Sequence, residues 1–111
     1  MQKTLVSLGF AEIDAEVYVF LVNGGPRKAS DIAEALRIYK RRLYRILRKL
    51  QGKGIVNASS EYPTRFSAVL FEEVLDLFIK FKTEQQEAIQ ASKEELLSTW
   101  RSIIKKDPAD S

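Results

Sequence analysis

The chain has 111 residues, 45% of them hydrophobic and 30% charged, and a net charge of +3, an ordinary composition for one globular domain with a modest core. It contains no Cys and no His. Disulfides, Cys/His metal sites, and catalysis by a Cys nucleophile or a His base are therefore excluded, and neither a metal nor a cofactor is expected.

From the amino terminus, residues 2–9 predict a short helix with Leu5 and Leu8 on its apolar side. Residues 12–22 predict a second, with Ile13, Val17, Phe20 and Leu21 at helical spacing. Glu12, Asp14 and Glu16 lie inside this apolar stretch, a pattern that a signal peptide does not tolerate. The longest uncharged apolar run, Val17 to Pro26, is too short to cross a bilayer. A cytoplasmic protein with no membrane partner is expected. Asn23-Gly24-Gly25-Pro26 stops the second helix. A third is predicted from Ser30, as its cap, to Leu36, with Asp31 at the positive helix end and Ile32, Ala33 and Leu36 facing inward.

The next stretch, RIYKRRLYRILRKLQGK at 37–53, holds eight Lys or Arg and no acid. It carries +8 alone, leaving −5 for the rest of the chain. A polarity of this kind suggests a polyanionic partner. Leu43, Ile46, Leu47 and Leu50 follow the i, i+3, i+4, i+7 rule for one face of a helix over 40–53. At 100° per residue, Arg41, Arg45 and Arg48 fall on the opposite face, with Arg42 and Lys49 beside them. Solvated helix faces usually mix Lys and Arg with Glu, because i,i+4 pairs stabilise the helix. This segment forgoes that stabilisation. Tyr39 and Tyr44 could bond or stack against a nucleic acid, while the ring of Tyr44, at the edge of the apolar face, is equally suited to the core. Gly54 suits a left-handed cap.

The period then changes from 3.6 to 2. Residues 55–59 and 65–69 read as two strands joined by a turn with Pro63 at its tip, and Arg65 stands beside that turn. From Phe71 one long helix is predicted to about Lys105. Glu72, Glu73 and Asp76 lie in its first turns, where acids favour the helix dipole. Its apolar stripe includes Phe78, Phe81, Ile89, Leu96, Trp100 and Ile103, with Gln85 and Ser92 interrupting it. Such a stripe runs past what a small domain can cover and is read as a dimer interface. A frayed, disordered tail is expected over 107–111.

The order of elements is that of a winged helix-turn-helix. The fold expected is mostly α with a small β-hairpin: a DNA-binding head over 1–70 and a long dimerisation helix over 71–106. The helix at 40–53 would enter the major groove and the hairpin at 55–69 would be the wing. A helix in the groove passes between two rows of phosphates, where Arg and Lys displace counterions and an acid opposes binding. Arg also pairs bidentately with guanine. The candidate DNA-binding residues are Tyr39, Lys40, Arg41, Arg42, Tyr44, Arg45, Arg48, Lys49 and Arg65.

Residues 5–75 resemble the amino-terminal domain of the TrmB-like transcriptional regulators, which are largely archaeal. The likeness rests on Leu8-Gly9, Glu16-Val17-Tyr18, Ser30-Asp31-Ile32-Ala33, Leu43 to Leu47, Lys53 to Val56, and the strand from Arg65 to Val69. It implies a dimeric winged-helix regulator that binds duplex DNA through Lys40 to Lys53. Ala11 stands where relatives tend to have Ser or Thr, and Tyr39 where they have a small residue or Pro. Arg37 stands where they often have Gly, so a left-handed backbone there is expected to cost about 1 kcal/mol. Larger relatives carry a sugar-binding domain after this head, and with the chain ending at Ser111 no sugar effector is expected. The alternative function is a winged-helix interaction module that binds an acidic protein partner. An enzyme is not expected, since no activated nucleophile or phosphate loop is present.

Overall fold

The computed structural model describes residues 1–105; the tail expected at 107–111 lies outside the described residues. Six helices and three strands follow in the order α1 (Gln2–Ser7), α2 (Glu12–Gly24), β1 (Arg27–Lys28), α3 (Ala29–Leu36), α4 (Lys40–Gly52), β2 (Val56–Ala58), β3 (Arg65–Ala68), α5 (Phe71–Ala91) and α6 (Lys93–Lys105). Two compact units result, Met1–Leu77 and a second that begins at Phe78.

The first unit is a winged helix-turn-helix. Its core gathers Leu5, Val17, Tyr18, Leu21, Ile32, Leu43, Leu47, Leu50, Val56 and Val74, all essentially buried. Strand β3 is central in the antiparallel order β1-β3-β2. Arg27 pairs with Phe66 on one side, and Val56 with Ala68 on the other. The two-stranded wing expected from the sequence is thus part of a three-stranded sheet. Pairing holds Arg27 and Lys28 extended, so α3 starts at Ala29 with Lys28 as its cap. Ser30, the expected cap, lies inside the helix.

The inward face of α2 also differs from expectation. The buried residues are Ala15 and the stripe Asp14, Val17, Tyr18 and Leu21, spaced i, i+3, i+4, i+7, whereas Ile13 and Phe20 are half-exposed. Tyr18 Oη donates a hydrogen bond of 2.6 Å to the carbonyl of Val69, and its ring is tilted against Phe10 at a centroid distance of 6.0 Å. Burial pushes the Tyr18 phenol above its ordinary pKa.

The long helix expected from Phe71 to Lys105 is two helices. The Ser92 N–H is shared between the carbonyls of Ala88 at 3.1 Å and Ile89 at 3.2 Å, a bifurcation that tightens the last turn of α5. The Ser92 carbonyl then accepts from the Leu96 N–H at 2.9 Å and opens α6. Serine suits that position because it favours helix starts. In the second unit Phe78 is half-buried, while Phe81, Ile89, Leu96, Trp100 and Ile103 are exposed, with Trp100 58% accessible. Among the described residues no helix is long and apolar enough to cross a membrane.

Candidate nucleic-acid interface

Helix α4 is placed by its apolar stripe. Leu43, Ile46, Leu47 and Leu50 are buried, which leaves Arg41, Arg45 and Arg48 exposed on the reverse side. Lys40 and Arg42 are exposed as well. Tyr39 caps the helix with its backbone and is 87% accessible, while Tyr44 is 43% accessible at the margin of the core. The structure thus brings the predicted residues of the 39–49 segment onto the free side and flanks of one helix.

The start of α4 is electrostatically unfavourable for the helix itself. Lys40, Arg41 and Arg42 occupy its first turn, no acid stands there, and no side chain caps it. Cations at the positive end of a helix dipole cost roughly 0.3–1 kcal/mol each. Sequence and local structure are in conflict here, and such conflicts concentrate at functional sites. Unpaired N–H groups and three cations together make this end a strong attractor for a phosphate.

The turn that aims α4 is left-handed. Arg37 has φ 55 and ψ 49, a left-handed conformation at a position where relatives often have Gly. Its N–H and that of Ile38 both reach the carbonyl of Ala33, closing α3, and Ile38 is buried behind the turn. At the other end Gly54 has φ +77. Its Cα faces Leu77, whose Cδ1 would lie 3.3 Å from a Cβ added there.

The wing is closed by Ser59. Its N–H donates to the Arg65 carbonyl at 2.9 Å, and its Oγ accepts from the Arg65 N–H at 2.9 Å. Arg65 is exposed at the first position of β3, as is Tyr62 at the wing tip. The Tyr62–Pro63 peptide bond is cis.

One predicted interface residue is engaged elsewhere. Lys49 Nζ lies 2.6 Å from Oδ2 of Asp14, a carboxylate only 4% exposed at the start of α2. Asp14 Oδ1 is buried without a hydrogen-bond partner. Ile13, Asp14, Arg42, Arg45, Ile46 and Lys49 line a shallow cleft of about 360 Å³ around it. The segment 37–53 has no acid of its own, but α2 supplies one. The signal in the sequence was an aspartate at the first position of the stripe that continues through Val17, Tyr18 and Leu21.

Among the described residues no group of His, Cys, Asp or Glu is arranged to hold a metal ion. The model of the family "Sugar-specific transcriptional regulator TrmB" matches residues 5–72, more than half of the chain. The chain belongs to the TrmB family. Its fold is similar to TrmBL2, an archaeal chromatin protein with a novel mode of DNA binding, at 27% identity and a TM-score of 0.70. That match covers 96% of this chain but only 43% of TrmBL2. A possible transcriptional regulator from Methanosarcina mazei Go1 matches with a TM-score of 0.66 at 13% identity, covering 81% of this chain and 82% of that one. The oxidized form of MarR from E. coli matches with a TM-score of 0.57 at 14% identity, over 95% of this chain and 80% of MarR. At those last two identities the likeness is one of fold. No curated protein sequence matches the chain. Family and fold are those of a transcriptional regulator.

Proposed function

We propose that this TrmB-family protein is a homodimeric regulator that binds duplex DNA, with α4 in the major groove and the β2–β3 wing on the adjacent backbone. The observation that carries this reading is the free side of α4. Arg41, Arg45 and Arg48 are exposed together, on a helix whose other side is locked into the core. Arg41 and Arg45, in the first half of the helix, are assigned to base edges. Lys40, Arg42, Arg48 and the hydroxyls of Tyr39 and Tyr44 are assigned to phosphates, as is Arg65 in the wing. The exposed stripe of Phe81, Ile89, Leu96, Trp100 and Ile103, with half-buried Phe78 at its start, is assigned to the dimer seam. Two linked heads engage two half-sites, and the effective concentration raises avidity 10²-fold or more. Such a protein works where the DNA is, in the cytoplasm.

The test is titration of duplex DNA at several salt concentrations. About five to eight phosphate contacts per dimer give a log–log slope near −4 to −7. A slope near zero, or no binding at low salt, removes the reading and favours an acidic protein as the partner. Arg45→Ala is expected to cost about 1–3 kcal/mol at a selected site and less on random DNA. Arg65→Ala weakens both alike, because phosphates carry no sequence information. The likeness to TrmBL2, a chromatin protein, favours a second reading in which duplex DNA is bound with little regard to sequence. Equal losses for Arg45→Ala on selected and random DNA select that reading.

A further inference from the structure

Among the positive groups of α4, Lys49 differs from the rest. It lies on the flank nearest α2, and its ammonium rests 2.6 Å from a carboxylate that solvent barely reaches. The other oxygen of that carboxylate is buried with no partner, so Lys49 is the only hydrogen-bonding or ionic contact that the Asp14 side chain makes among the described residues. Moving Lys49 to a phosphate would leave a buried charge with neither oxygen paired, which protein interiors strongly disfavour. Although the Lys49 side chain is 46% exposed, the geometry favours keeping the pair when a polyanion approaches, with that cation left out of the phosphate contacts.

We propose that Asp14 is a positioning and specificity-determining residue for DNA binding. It withdraws Lys49 from the phosphates and uses it to fix the rotation of α4 about its own axis. The proposal rests on the DNA-binding reading above. Two consequences follow. Charge-driven affinity for any sequence is held below what the six cations of α4 would give, because one of them has an internal counterion. The outward arginines keep their angle to the domain, because a charged tether joins α4 to the first turn of α2. Non-specific binding scales with the number of phosphates neutralised, whereas base reading depends on orientation. Removing one cation from the phosphate count while fixing the helix thus raises the ratio of specific to non-specific binding.

The test compares three full-length proteins, wild type, Asp14→Asn, and Asp14→Asn with Lys49→Met, on one random-sequence duplex over a salt series. Thermal melts establish that each is folded. Asp14→Asn frees Lys49 and is expected to steepen the log–log salt slope by about 0.9 per head, which amounts to roughly a 3-fold change in relative affinity per head between 50 and 200 mM salt. The double variant removes the freed cation and is expected to return to the wild-type slope. A purely structural role for the pair would shift the melting temperature and leave the slope unmoved. An unchanged slope in folded Asp14→Asn overturns the proposal. So does a double variant whose slope is about 0.9 per head shallower than wild type, because Lys49 would then contact phosphate in the native protein. If Asp14→Asn fails to fold, the double variant against wild type decides by the same criterion. A wild-type slope near zero removes the DNA-binding reading and the proposal with it, and is distinguishable from both results above.

Discussion

Arg37 offers a direct measurement of what the turn before α4 costs. At φ 55 and ψ 49 its Cβ crowds its own carbonyl, a strain of about 1–2 kcal/mol for a residue other than glycine. Replacing it by glycine removes that strain but frees the unfolded chain, which takes back about 0.4–1 kcal/mol. The balance leaves Arg37→Gly more stable by up to about 1.6 kcal/mol, centred on about 0.8 kcal/mol. For a unit the size of Met1–Leu77 this is a rise in melting temperature of roughly 2–6 °C. Arg37→Ala is the control, since it removes the same charge and keeps the Cβ. Urea and thermal melts followed by circular dichroism compare the three proteins. At an ordinary helical position glycine is less stable than alanine by about 0.5–1 kcal/mol, so here the order must invert. A glycine variant less stable than the alanine variant refutes the left-handed geometry at this turn.

Tyr18→Phe deletes the bond to the Val69 carbonyl and is expected to cost about 1 kcal/mol at neutral pH in urea titrations. Burial raises the folded-state pKa of this phenol above its ordinary 10.0, so its contribution is complete below that pH and lost as pH rises through the folded value; the Phe variant should show a flatter alkaline loss, and an identical one would refute the assignment. Gly54→Ala meets both φ +77 and Leu77, and a cost of about 1–2 kcal/mol is expected; an unchanged melting temperature would count against this cap. Ile89→Asp combined with Leu96→Asp should sediment as a monomer and lose most DNA affinity while the thermal transition of the winged helix persists. A variant that stays dimeric places the seam elsewhere.

Helix α4 was legible because its apolar residues keep a strict period and the remaining positions carry one sign of charge. The family resemblance raised a left-handed backbone at Arg37 but left the geometry of the turn open, since nothing in an isolated arginine announces φ > 0. Strand β1 was not legible: two residues have no period, and Arg27 and Lys28 are extended because β3 offers them partners. The same pairing explains the misplaced start of α3. On α2, apolar spacing selected Ile13 and Phe20, and the stripe actually buried includes a charge. Aspartate is seldom buried, and a lysine from another helix makes Asp14 the exception. Ser92 was visible as a gap in the apolar stripe, but a single polar residue does not announce a helix break, and the break lies in the shared Ser92 N–H.

Helix α2 links the two parts of the head that the DNA reading requires. Asp14 near its start is joined to Lys49 of α4, and Tyr18 one turn later is joined to Val69 just beyond β3. The wing and the groove helix are thus referred to one rigid element rather than only to each other. They are also joined directly, by the buried Leu47, Leu50 and Val56 and by the segment from Lys53 to Ile55, which passes through the left-handed Gly54. Helix α2 adds two side-chain contacts to that packing and so further fixes the spacing between the outward arginines and Arg65. Contacts that must be ordered on binding reduce the affinity obtained from them, by roughly 0.5–1.5 kcal/mol for each long side chain that is immobilised. Fixing the backbone in advance leaves the side chains, Arg41, Arg45, Arg48 and Arg65 among them, to be ordered. On the proposed reading, the pair of buried Asp14 with half-exposed Lys49 and the buried phenol would act on recognition through geometry, while the exposed arginines would act through charge and hydrogen bonding.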